Sequence, residues 1–279
     1  MDKIINGVTI KEEIKNDLTK EIKKLKKAPS LVVIQVGNDP ASTVYINNKK
    51  RLCEEVGITC IHQKYEKIDE KNLIKEIEKL NKNKEITGIL VQLPLPKEIN
   101  ETNVIETITP EKDVDGLTSK NIGKLFSKQK ALTPCTALGV LKILEETKEP
   151  LEGKNIVIVG RSKLVGLPLV ALLLNKNATV TICHSKTKNL EEVTSKADIL
   201  VVAIGKKEFI TEKYVKDGAI VIDVGINRYE NKLYGDCKFD SLLEKCKYIT
   251  KVPGGVGPLT VTMLINNIIE AYKMQNNNK

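Results

Sequence analysis

Tryptophan is absent from the 279 residues, phenylalanine occurs three times and histidine twice. So few aromatic rings argue against a nucleic-acid surface in which stacked rings alternate with basic side chains. His62 and His184 alone leave little material for a histidine metal site or a Ser-His-Asp triad. The six cysteines (Cys53, Cys60, Cys135, Cys183, Cys237 and Cys246) show neither a CxxC pair nor metal spacing. Reduced thiols and no metal are therefore expected. No apolar run approaches the ~20 residues that span a bilayer. The start, Met1 to Gly7, lacks a signal peptide's apolar centre and small-residue cleavage site. A cytoplasmic protein is expected.

The hydrophobic content of 41% is that of a globular protein, and the length suggests about two domains. The formal net charge is +9, but the lysines are dispersed among acids, as in Lys75-Glu76-Ile77-Glu78-Lys79. Only Lys20 to Lys27 is a basic cluster, and it reads as one solvated helix face. An anion-attracting surface fits this pattern better than a nucleic-acid partner.

Ile10, Ile14, Leu18, Ile22 and Leu25 recur at helical spacing, which predicts a helix over 9–27. Leu31 to Val36 is a nearly continuous apolar run, the pattern of a strand covered on both faces. Gly37-Asn38-Asp39-Pro40 breaks it, and a helix capped by Ser42 or Asp39 should run to Val56 and end at Gly57. Tyr45 and Lys49 then share one face of that helix. A ring beside an amine suits a flat, polar substrate, although such a pair also suits an ordinary amphipathic helix. A strand over 58–65 and a helix over 69–81 follow.

Ile89 to Val91 reads as a buried strand, and Pro94 and Pro96 stop it from continuing as a central one. Gln92 therefore sits at a strand end, where open α/β sheets bind ligands, or where a polar residue merely closes the strand. Asp113-Val114-Asp115-Gly116 is open to three readings: a metal site lacking a third ligand, an acceptor for a ring amine or amide, or plain turn chemistry. Thr136 is a candidate N-cap for a helix to Glu146, and 116–150 reads as the crossing between domains.

The second half repeats strand, glycine turn and helix. Asn155 to Gly160 leads through Arg161-Ser162-Lys163-Leu164-Val165 to Gly166 and Pro168, which suits a first helical turn. A strand, a glycine loop and a helix N-terminus can hold a pyrophosphate, but the spacing is not that of the G-x-G-x-x-G fingerprint. The next strand ends at Cys183-His184-Ser185-Lys186-Thr187, with no acid for ribose hydroxyls. Ser185, Lys186 and Arg161 favour a 2′-phosphate, hence NADP; an exposed turn is the plain alternative. Further strands end at Ala203 and Val224, and Tyr248 to Val252 runs into Pro253-Gly254-Gly255-Val256-Gly257-Pro258 before a helix over 260–273. That loop permits close approach to a ligand, or serves as a hinge. Alternation throughout predicts two α/β units with mainly parallel sheets.

In order, these stretches resemble the bifunctional methylenetetrahydrofolate dehydrogenase/methenyltetrahydrofolate cyclohydrolase family: Ser42-x-x-Tyr45-x-x-x-Lys49, Val91 to Pro96, Lys112 to Gly116, Pro134-Cys135-Thr136, Gly160-Arg161-Ser162-x-x-Val165-Gly166, Cys183 to Thr187, and Pro253 to Pro258. Two positions depart from the family pattern, Ala137 where proline is common and Leu259 where methionine is frequent; neither removes a functional group.

The resemblance implies a folate-binding catalytic domain over 1–130, a Rossmann-like NADP-binding domain over 131–259, a substrate cleft between them, and a final helix over 260–279 packing back on the first. It implies oxidation of 5,10-methylenetetrahydrofolate with NADP, then hydrolysis to 10-formyltetrahydrofolate, in one-carbon metabolism. By the same resemblance Lys49 is catalytic with Gln92 as its partner, Tyr45 orients the folate, and Asp115 binds the pterin. Pro253, Gly254 and Gly255 join Tyr45, Gln92 and Asp115 in substrate binding. Gly160, Arg161, Ser162, Ser185 and Ile226 line the NADP site. The implied partners are tetrahydrofolate derivatives, including polyglutamates, and a second copy in a homodimer. Two other classes compete: another NAD(P)-linked dehydrogenase, betrayed by absent folate-dependent NADP reduction, and a non-catalytic binder, betrayed by salt-sensitive oligonucleotide binding without turnover.

Overall fold

The computed structural model describes residues 2–230 and 232–276. The chain opens with strand β1 (Ile4–Ile5) and helix α1 (Gly7–Ile22). The helix is shorter than the periodicity suggests, leaving Leu25 in a turn. There follow β2 (Ser30–Val36), α2 (Pro40–Val56), β3 (Thr59–Tyr65), α3 (Glu70–Lys82), β4 (Gly88–Val91), α4 (Glu101–Thr107) and α5 (Ser119–Phe126). Then come α6 (Cys135–Glu146), β5 (Asn155–Val159), α7 (Gly166–Leu174), β6 (Thr179–Cys183), α8 (Leu190–Thr194) and β7 (Ile199–Val202). The chain closes with β8 (Ile220–Asp223), the hairpin β9 (Asn227–Tyr229) and β10 (Lys232–Tyr234), α9 (Phe239–Leu242), β11 (Tyr248–Thr250) and α10 (Gly257–Asn276).

These elements form two compact units, 14–133 with 261–276, and 2–13 with 134–260. The N-terminal residues, expected in the first domain, thus belong with the second, because β1 pairs in parallel with β11. The crossing expected over 116–150 narrows to the step after Thr133: α5 stays with the first unit and α6 begins the second.

In the first unit, β3-β2-β4 form a parallel sheet with the earliest strand in the middle. Every residue of β2 is buried, so both faces are covered, as the continuous apolar run requires. Leu73, Ile77 and Leu80 of α3 pack on Val32, Ile34 and Val91 from one side. Each such aliphatic chain contributes roughly 1.5–3 kcal/mol by leaving water. Helix α2 starts at Asp39, whose carboxylate accepts from the Ser42 N–H at 2.7 Å, so Asp39 rather than Ser42 is the cap. It ends at Gly57 in the left-handed region, φ +88°.

In the second unit, the six-stranded parallel sheet runs β1-β11-β8-β7-β5-β6. Apart from β1 at the edge, its earliest strand, β5, lies inside, flanked by β6 and β7. That order makes the junction of β5 and β7 the topological switch point of a doubly wound sheet. The core of one face combines Val157, Val202, Val221 and Ile249 from four adjacent strands. Thr136 does not cap α6: Pro134 holds the cap position, and the Thr136 hydroxyl lies 3.3 Å from that of Thr260 instead. All six cysteines are free thiols, five of them buried and Cys60 half-buried. No described helix is long and apolar enough to cross a membrane.

Candidate active site and dinucleotide loop

In the first unit the switch point lies between β2 and β4, and Gln92 is the residue immediately after β4. Its N–H donates to the Ile34 carbonyl at 2.9 Å, extending the ladder by one bond and fixing its backbone. The side-chain Nε2 donates to the carbonyl of Leu93 at 2.8 Å. That bond turns Oε1 outward, and Oε1 accepts from Lys49 Nζ at 2.9 Å. The amide cannot flip without losing both contacts, so Lys49 always meets an acceptor. Lys49 and Gln92 are half-buried, while Tyr45, one turn earlier on α2, is 52% exposed. A ring this open on the same helix face is available for stacking.

Helix α2 is tied to the sheet by a polar relay. Buried Gln35, near the end of β2, donates from Nε2 to Thr43 Oγ1 at 3.2 Å, and its Oε1 lies 3.0 Å from His62 Nε2. Burial, with Lys64 and Lys50 nearby, holds the His62 imidazole below its ordinary pKa. One turn beyond Lys49, the Cys53 thiol is hydrogen-bonded to that of Cys60 on β3; this pushes the Cys53 thiol well up and draws the Cys60 thiol down.

Asp113 and Asp115 have different jobs. Asp113 is buried and accepts from the N–H groups of Gly116 at 3.0 Å, Leu117 at 3.1 Å and Thr118 at 2.8 Å, and from Asn121 Nδ2 at 2.9 Å. Burial lifts its pKa to about 6 against the pull of those donors. It is the turn's internal brace, and among the described residues no group of side chains could hold a metal ion. Asp115 is half-buried. A parallel bridge from Ile89 to Asp113 runs its segment along β4 toward the end that carries Gln92. Gly88 permits that approach, since a Cβ there would lie 2.5 Å from Val114 Cγ1. Asn267, buried on α10, holds the segment from the other side by donating to the carbonyls of Val114 and Thr133, both at 2.8 Å. The sequence reading missed Asn267, which only the fold brings to position 114.

In the second unit, the turn after β5 is closed by backbone contact. Gly160 has φ +127°, and a Cβ on it would stand 2.2 Å from the Ala203 carbonyl oxygen, at the end of β7. A Cβ on Gly166 would stand 2.0 Å from the Gly160 carbonyl oxygen. Both positions accept only glycine, and together they keep the turn tight against the switch point. Ser162 Oγ accepts from the Val165 N–H at 3.1 Å, so it shapes the entry to α7. Arg161, Ser185 and Lys186 are exposed, and no carboxylate occupies the end of β6. Thr187 Oγ1 accepts from the His184 N–H at 2.9 Å and steadies that second turn. Ile226, 51% exposed, joins Pro253 and Gly254 around a cavity of about 140 Å³. A Cβ-free cradle beside two basic side chains fits a dinucleotide with a 2′-phosphate.

Two family models match the chain: the tetrahydrofolate dehydrogenase/cyclohydrolase catalytic domain over 5–115, and the NAD(P)-binding domain of the same name over 134–276. The chain belongs to the tetrahydrofolate dehydrogenase/cyclohydrolase family. The bifunctional protein FolD of Agathobacter rectalis is 50% identical over 278 residues, covering 98% of this chain and 100% of that protein. The Campylobacter jejuni bifunctional FolD structure aligns with a TM-score of 0.96 at 41% identity, over 98% of this chain and 99% of that one. A Trypanosoma brucei FolD solved with NADP and an inhibitor aligns with a TM-score of 0.91 at 33% identity, over 98% of each chain. Within this tetrahydrofolate dehydrogenase/cyclohydrolase chain, the structure joins Lys49 to Gln92 and sets Tyr45 on the same helix. It sets Gly160, Arg161 and Ser162 in one turn and Ile226 beside Pro253 and Gly254.

Proposed function

We propose that Lys49 carries the proton transfers of a bifunctional enzyme. That enzyme oxidises 5,10-methylenetetrahydrofolate with NADP and hydrolyses the methenyl product to 10-formyltetrahydrofolate. The observation that carries the residue assignment is the Lys49–Gln92 bond at 2.9 Å beside the exposed ring of Tyr45, at the end of β4.

In the oxidation, the lone pairs of N5 and N10 stabilise the cation left when the methylene carbon gives up hydride, so the chain needs no strong base for this step. Bound NADP supplies the hydride acceptor. The protein's part is positioning: Tyr45 stacks on the folate and Asp115 accepts hydrogen bonds from the pterin edge. Gly160, Ser162 and Ile226 line the dinucleotide, with Arg161 and Ser185 at its 2′-phosphate; Pro253, Gly254 and Gly255 contact the substrate.

Hydrolysis makes heavier demands. Water adds to the methenyl carbon with release of one proton. The resulting hydroxyl gives up its proton while N5 takes one, and the bond from that carbon to N5 breaks to leave N5–H and the formyl group on N10. Lys49 Nζ moves these protons, and the fixed Oε1 of Gln92 keeps it aimed at the reacting carbon. The excess of basic residues also supports capture of folates with several glutamates. A cytoplasmic homodimer completes the proposal, and analytical ultracentrifugation checks the dimer.

The test follows absorbance with methylenetetrahydrofolate and NADP, resolving NADPH from the methenyl intermediate. Reduction of NADP without lasting methenyl is the expected result. Absence of folate-dependent reduction overturns the reading, and hydrolysis unchanged in Lys49→Ala overturns the role of the lysine.

A further inference from the structure

The loop after β7 and the turn after β8 are held by one side chain that no sequence motif singled out. Asp236 lies just past β10 and is fully buried. Its Oδ2 accepts from the N–H groups of Ile204 at 2.7 Å and Gly205 at 3.0 Å. Its Oδ1 accepts from the N–H of Lys206 at 2.7 Å and from Asn227 Nδ2 at 2.9 Å. Every one of these donors sits on a segment leaving the C-terminal end of β7 or β8. Those are the strand ends beside the dinucleotide turn, because the Ala203 carbonyl packs directly against Gly160.

The fit leaves no slack. A Cβ on Gly225 would stand 2.1 Å from the carboxyl carbon of Asp236, so the turn that carries Ile226 passes directly over this carboxylate. Asp236 is itself held by Asp223, the last residue of β8, which accepts from the N–H groups of Asp236 at 3.0 Å and Cys237 at 2.8 Å. Lys207 adds a second tie from the β7 loop to the hairpin, its Nζ 4.2 Å from the Tyr229 ring centre and 3.6 Å from that of Tyr234.

We infer that Asp236 is a positioning residue of the dinucleotide site, its carboxylate setting the backbone of 204–206 and, through Asn227, the turn that presents Ile226. The groups it holds, the N–H groups of 204–206 and the Asn227 amide, include none of the residues assigned above to proton transfer or to the folate. Hydrolysis of methenyltetrahydrofolate consumes only water, so the two activities of one protein report separately on the two sites. The inference rests on the NADP-dependent reading above, and the wild-type assay tests that reading by itself.

The experiment compares the wild type with Asp236→Asn and Asn227→Ala in the full chain. It measures the KM for NADP, NADP binding by calorimetry, and hydrolysis of methenyltetrahydrofolate without NADP. In Asp236→Asn an amide N–H must face backbone N–H donors, so the KM for NADP should rise about tenfold or more. Hydrolysis should stay within about twofold of wild type, because no reacting group is touched. Asn227→Ala removes one tie and should raise the KM by a smaller factor, again sparing hydrolysis. If Asp236→Asn fails to fold, Asn227→Ala decides: an unchanged KM for NADP there overturns the inference. Equal losses of both activities in either folded variant also overturn it, since they mark a general structural role. A wild type that neither binds nor reduces NADP overturns the functional reading instead.

Discussion

The two sheets share a plan and use it differently. β2 in the smaller sheet and β5 in the larger lie inside, each with the next strand of the chain on one side and the one after it on the other, so each sheet has a switch point beside that strand. In the smaller sheet that point is occupied by side chains, with Lys49 reaching Gln92 across 2.9 Å and Tyr45 open beside them. In the larger sheet it is occupied by main chain, with Gly160 against the Ala203 carbonyl and Asp236 gathering three backbone N–H groups. A site that performs proton transfer needs movable functional groups. A site that holds a long anionic ligand needs bare backbone and a fixed shape. The smaller sheet should therefore lose chemistry when one side chain is trimmed, and the larger should lose affinity when its loops shift.

The sharpest test of this contrast is Lys49→Met. It should reduce hydrolysis by about 10²–10⁴-fold while NADP binding measured by calorimetry stays unchanged. Loss of NADP binding in that variant would break the contrast at once.

A smaller effect compares two buried aspartates, one from each unit. Burial lifts both Asp113 and Asp223 from 3.8 to about 6, against the backbone donors that favour their ionised form. Folding therefore gains from a proton that the unfolded chain has already released. The contribution is fully present below about pH 4, the ordinary aspartate range, and is lost as pH rises through about 6. For one such group it amounts to at most roughly 3 kcal/mol. Chemical denaturation from pH 4 to 7 should show the wild type losing stability with rising pH relative to Asp113→Asn and to Asp223→Asn. Parallel curves for wild type and variant would show that the carboxyl titrates alike in both states.

Arg161→Ala comes next. Removal of one charge-assisted contact to a 2′-phosphate should raise the KM for NADP about 10–100-fold. The KM for NAD should hardly move, and a matching rise for both would place the guanidinium away from that phosphate. The smallest expected effect is Gly57→Ala, where a side chain must adopt φ +88° at the end of α2. Urea denaturation should register a loss of about 1–2 kcal/mol, with hydrolysis intact because Lys49 lies two turns upstream.

What the sequence made legible is what neighbours in the chain decide. The continuous apolar run of β2, the Asp39 and Gly57 caps of α2, and the strand end at Gln92 all follow from local pattern. The short helices α4 and α5 escaped notice inside a polar stretch, although Asn100 and Thr118 cap them. At the dinucleotide turn the glycines were visible, but their necessity was not, since Gly160 answers to Ala203 and Gly225 to Asp236. Asp113 and Asp236 look like ordinary loop residues, and Asp223 like a polar strand end, until their amide donors are known. Two of them draw those donors from segments far along the chain or across a hairpin.

The pairing of β1 with β11 sets an order of events during synthesis. The three strands of the smaller sheet have all been made once Val91 is added, and they can pair early. Ile4 and Ile5 are made before every other strand of the larger sheet, and their partners Ile249 and Thr250 come in the last of those strands. A nascent chain therefore carries β1 unmatched until β11 has been made, and the edge of the larger sheet cannot close before then.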